Sequence, residues 1–226
     1  MGLMSKVGLV VVTGLLALQA QATQISYQFS VRIDSINVFT GSVLTGNLAS
    51  VAYPLGGPVS IADTITGKFS IDDGKLETPS GMQTDTSRYF VDVSGTGHSL
   101  SFTTPGMGAY TSSGVPNSGI VQLMNGSDDY LSMSDTGGPV NAGFVLANWE
   151  GTAFNSLALP SNMALTDFEY TWLRTGWWTD VGSIAIDGHF TELSPVSPVG
   201  VPEPATWTIL LAGLACLAGA RRRYKA

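Results

Sequence analysis

The sequence predicts an all-β fold, an antiparallel β-sandwich of jelly-roll type, and three observations predict it. Ile25, Tyr27, Phe29, Val31 and Ile33 alternate with Gln24, Ser26, Gln28, Ser30, Arg32 and Asp34, a period of two that no helix produces. Clusters of Gly, Pro, Ser, Thr and Asn break the chain into short runs, as surface turns do. No stretch between the two apolar ends carries the spacing of an amphipathic helix. A β-barrel alternates in and out in the same way, so it stands beside the sandwich as the second reading.

Residues 1–22 read as a cleaved secretory signal helix. Lys6 supplies the positive start, Val7 to Leu18 the apolar core, and Ala20-Gln21-Ala22 the small-x-small cleavage pattern. The expected mature start is Thr23.

Residues 23–194 form the expected β domain, one unit of a size that supports a core without disulfides. The second clear alternation is Ile65 to Ile71, which stops at the turn signal Asp72-Asp73-Gly74. Further strands are expected at Tyr89–Val93, Ser99–Thr103, Ile120–Met124, Tyr130–Met133, Phe144–Trp149, Phe168–Trp172 and Ser183–Phe190. From Thr23 to Gly200 there are sixteen acidic and five basic residues, a balance that disfavours nucleic acid as a partner. The single cysteine, Cys216, lies in the second apolar run.

Few residues suggest chemistry. His98 and His189 stand in or beside strand patterns with no second ligand at metal spacing, and read as surface or half-buried strand residues. No nucleophile elbow and no phosphate-binding glycine loop occurs, so no catalytic residue is assigned. Asp72-Asp73-Gly74 and Asn125-Gly126-Ser127-Asp128-Asp129 gather oxygens that suit Ca²⁺, but neither matches a calcium loop; no cofactor is expected. The aromatic run from Trp172 to Asp180 is the most suggestive stretch. Trp172 continues an inward series with Phe168 and Tyr170, whereas the consecutive Trp177 and Trp178 must face opposite ways in a strand. An exposed tryptophan beside Arg174 and Asp180 is suited to carbohydrate contact: a flat ring to stack on and polar groups to orient the sugar.

The C-terminal stretch has three parts. A Pro-rich linker, 195–204, ends in Val201-Pro202-Glu203-Pro204; its two prolines fix φ and present Glu203 on a stiff, extended segment. Ala205 to Ala220 is an uncharged run of sixteen residues, about 24 Å as a helix against a hydrocarbon core of about 30 Å. Arg221, Arg222 and Arg223 follow and act as a membrane stop. Residues 205–226 are therefore expected to form a thin transmembrane helix with its basic tail in the cytoplasm and the β domain outside.

This tail resembles the PEP-CTERM sorting signal of Gram-negative bacteria. The resemblance implies that an exosortase reads Pro202-Glu203-Pro204, removes the helix and passes the protein from the inner membrane to the surface or the medium. It also implies an association with exopolysaccharide and biofilm matrix. The expected function is thus an exported, non-enzymatic matrix component that contacts carbohydrate. A secreted polysaccharide hydrolase is one rival, needing two carboxylates across a cleft. An adhesive or ice-binding surface is another, and would need a flat, regularly spaced threonine face that the sequence lacks.

Overall fold

In a computed structural model of the chain, residues 24–76, 78, 84, 86–92, 95–103, 108–112, 119–136 and 140–196 are described. The expected signal helix, the sorting tripeptide and the transmembrane helix lie outside them. Among the described residues no helix is long and apolar enough to cross a membrane.

The described chain is all-β. Its strands are β1 (Gln24–Thr40), β2 (Val43–Leu48), β3 (Ser50–Ala52), β4 (Pro58–Ser60), β5 (Thr64–Asp72), β6 (Ser87–Val91) and β7 (His98–Thr103), followed by β8 (Tyr110–Thr111), β9 (Gly119–Met124), β10 (Asp129–Asp135), β11 (Val140–Asn148), β12 (Tyr170–Thr179) and β13 (Gly182–Pro195). Every run expected from the sequence overlaps one of these; β2, β3, β4 and β8 were not expected. Asp73–Lys75 and Leu165–Asp167 are single 3-10 turns.

All pairing is antiparallel. Eleven strands form one sheet in the order β6-β9-β10-β11-β12-β13-β1-β5-β7-β8, with β2 added beside the far half of β1, and β3 and β4 form a separate hairpin. The two layers expected of a sandwich are here arms of a single sheet curled over on itself. The curl follows from distances. Phe69 on β5 and Phe144 on β11 are four strands apart, about 19 Å in a flat sheet, yet their ring centroids lie 4.5 Å apart. Tyr110 on β8 donates to Asp135 Oδ2 on β10 over 3.2 Å, across seven strand steps.

β1 makes the bend. Its register shifts against β13 at Ser30/Val31 and again at Ile33/Ser35, and bulges of this kind bend a strand and increase its twist. The second shift moves the alternation by one residue, so that Ile36 is buried like Ile25 to Ile33 before it. The enclosed core is aromatic at its centre: Tyr27 stacks on Phe69, and Phe29 packs between Phe69 and Phe190. Such pairs add about 0.5–1.5 kcal/mol each beyond the area they bury.

The seam is closed by Asp92 and His98. Asp92 follows β6, at one end of the sheet path, and its Oδ2 accepts from Gly97 N (2.7 Å), His98 N (3.0 Å) and His98 Nδ1 (2.6 Å) at the start of β7. His98 is thus buried, not the surface or half-buried strand residue expected. Its ring lies where a Cβ on residue 119 of β9 would be, 1.8 Å from Cε1, so only glycine fits there. His189, by contrast, is exposed and pairs with Asp34 at 2.8 Å.

Two segments cover the interior. Tyr53, after β3, reaches Thr175 Oγ1 at 2.9 Å and meets Trp177 edge-on. The 149–169 connection packs Phe154, Leu159, Met163 and Phe168 inward, and its backbone is held by Asp129 Oδ2, Tyr27 Oη and the Asn148 side chain.

Candidate functional site

The outer face of β9 to β13 is the place where the suggestive residues come together. Along β12, Leu173, Thr175 and Trp177 turn into the core, while Tyr170, Trp172, Arg174, Gly176 and Trp178 turn outward. Trp177 is 8 % exposed and Trp178 71 %, so the adjacent tryptophans do face opposite ways. Trp172 corrects the inward assignment: β12 begins at Tyr170, after a 3-10 turn that ends before Phe168. Phe168 is buried in that connection and does not set the parity of the strand.

Register extends the outward residues into rows across the sheet. Trp172 lies beside Val145, Ser132 and Gln122. The next row is Asp187, Arg174, Gly143 and Ser134, and the next Asn37, Ala185, Gly176 and Asn141. The last is Leu44, Phe39, Ser183 and Trp178. Large side chains stand in the first and last rows, and glycine, alanine and serine occupy much of the middle two. The result is an open trough of about 670 Å³ with a low floor and aromatic walls.

Asp187 organises one wall. Its Oδ1 accepts from Arg174 Nε (2.7 Å) and Trp172 Nε1 (3.0 Å), and its Oδ2 accepts from Arg174 Nη2 (3.1 Å) and Asn37 Nδ2 (2.8 Å). The bidentate fork holds the guanidinium over the Trp172 ring, 4.6 Å from its centroid. The Arg174 guanidinium is thereby held against Trp172. Asp180, which the sequence placed beside the exposed tryptophan, is in the turn beyond β12, and the carboxylate that pairs with Arg174 is Asp187. Sequence reasoning missed Asp187 because its partners lie 13, 15 and 150 residues away.

The acidic turns do not assemble. Asp72 Oδ1 accepts from Gly74 N, and its other oxygen pairs with Lys75. Asp128 is exposed whereas Asp129 points inward to Phe154 N, so the pair diverges. Among the described residues, no three His, Cys, Asp or Glu side chains are grouped to hold a metal.

Burial shapes the phenols at the covered end. It raises Tyr53 to about 12, partly offset by the Thr175 hydrogen bond, and raises Tyr110 further with the help of Asp135.

A family model of the PEP-CTERM protein-sorting motif matches residues 200–223. The match contains Val201-Pro202-Glu203-Pro204 and Arg221-Arg222-Arg223, outside the described residues. No curated protein and no solved structure matches the chain. The chain thus carries a PEP-CTERM sorting signal, which implies export, membrane-associated sorting and exosortase as processing partner.

Proposed function

We propose that this chain is an exosortase-processed component of the extracellular or biofilm matrix whose β domain contacts polysaccharide without cleaving it. The observation that carries the reading is Trp178, a large ring left exposed at the rim of a trough whose lining combines aromatic and aliphatic side chains with hydroxyl, amide and small ones. Stacking on an aromatic wall with orienting polar groups is how a sugar ring is held. Trp178, rather than Trp177, is the contact residue. The non-enzymatic reading is supported by the state of Asp187, whose two oxygens are engaged by four donors, leaving it poorly placed to act as acid, base or nucleophile.

Sorting and contact are tested separately. Glu203→Ala is expected to leave an unprocessed, membrane-held product of full size; normal processing would remove the sorting role of the tripeptide. Matrix fractions from cells making the parent protein should contain it, and addition of soluble polysaccharide should release it. Persistence only in the inner membrane would contradict the matrix assignment.

A further inference from the structure

The charge of the trough sets the class of polysaccharide. The domain is strongly acidic, sixteen carboxylates against five cations from Thr23 to Gly200, which by itself repels anionic polymers. The cation that would counter this repulsion at the site is Arg174, and it is already matched by Asp187 in a bidentate pair. The remaining outward polar groups on the rows include Ser132, Ser134, Asn141, Gln122 and Ser183, all neutral donors and acceptors, and Asp135, which also lines the trough, is buried and accepts from the Tyr110 hydroxyl.

Geometry adds direction. Trp172 and Trp178 are six positions apart on one strand, about 20 Å, and the glycine floor lies between them. The small residues of the floor, Ala185 on β13, Gly176 on β12 and, in the adjoining row, Gly143 on β11 and Ser134 on β10, run across the strands beside Arg174 and Asp187. A polymer following the floor therefore crosses the strands and meets Trp178 along its flank. Arg174 would obstruct that path in other rotamers; Asp187, held also by Trp172 and Asn37, fixes it against the wall.

We propose that the trough binds an uncharged, extended polysaccharide lying across the strands, and that Asp187 is the positioning residue that excludes anionic polymers by neutralising and immobilising Arg174. This rests on the carbohydrate reading above and adds the charge class of the ligand.

The test measures binding of full-length protein, kept in mild detergent, to soluble β-glucan, α-glucan, galactomannan and polygalacturonate. The expected result is binding to at least one neutral polymer, little change with added NaCl, and no binding to polygalacturonate. Asp187→Ala releases the guanidinium and is expected to raise polygalacturonate affinity about tenfold while weakening the neutral polymer. Because Asp187 is buried, the isosteric Asp187→Asn serves as the second arm: it keeps the shape, frees the Arg174 charge and is expected to raise polygalacturonate affinity in the same direction, and adding Arg174→Gln to it is expected to abolish that gain. Polygalacturonate bound by the parent as tightly as the neutral polymers would overturn the neutrality of the ligand alone. A folded Asp187→Ala or Asp187→Asn protein with unchanged selectivity, or a polygalacturonate gain that survives the added Arg174→Gln, would overturn the role of Asp187. Failure of the folded parent to bind any of the four would overturn the carbohydrate reading beneath it.

Discussion

Trp177 and Trp178 are the same side chain one residue apart, and the strand gives them opposite tasks. Trp177 closes the end of the curled sheet against Tyr53, whereas Trp178 stands at the rim of the trough with most of its surface in water. The difference teaches that in this fold each strand of the β9–β13 arm carries core on one pleat and the surface of the trough, the proposed contact face, on the other. Loss of an inward residue should register in stability, and loss of an outward one in binding.

The largest effect is expected at Trp177→Ala, which removes a buried ring and strips Tyr53 of its contact: a loss of about 4 kcal/mol, read by denaturant unfolding. A change below about 1 kcal/mol would mean that Tyr53 and its hairpin do not seal the interior. Next comes the seam. Asp92→Ala leaves the backbone N–H groups of Gly97 and His98 and the imidazole without their shared acceptor, and is expected to lose about 3 kcal/mol.

A smaller effect has a pH signature. Tyr53→Phe should lose about 1 kcal/mol at neutral pH with the Thr175 hydrogen bond. Burial raises the folded phenol from 10.0 to about 12, so folding favours its neutral form. That contribution is complete below pH 10 and is lost as pH rises toward 12, because only the unfolded chain then ionises freely. The stability gap between parent and Tyr53→Phe should narrow over that interval, and a gap that stays constant would contradict the burial of the hydroxyl. Smallest in stability is Trp178→Ala, expected within about 0.5 kcal/mol of the parent.

The same contrast explains what the sequence made legible. Ile25 to Ile33 and Ile65 to Ile71 bury one face against a core, so their chemistry alternates and the strands are visible. β2 has no such contrast: most of its residues are exposed, and among the described residues it pairs with β1 alone. β3, β4 and β8 are two or three residues long, too short to show a period. Beyond Ile33 the bulge in β1 shifts the phase, which hid the rest of that strand. The single curled sheet was hidden as well, since period two records which side a residue faces and not whether two faces belong to one sheet. At the site, opposite orientation of Trp177 and Trp178 followed from the pleat alone. The exposure of Trp172 did not, because its parity depended on where β12 begins. The sorting signal was legible because it is local: tripeptide, apolar run and arginines lie in order within a single stretch.

The most direct measurement compares the polysaccharide affinity and the unfolding midpoint of Trp178→Ala with those of the parent. The account predicts an affinity lowered about tenfold or more with an unchanged midpoint. Equal affinity in the two proteins, at equal folded fraction, would contradict the assignment of the outer β12 face to carbohydrate.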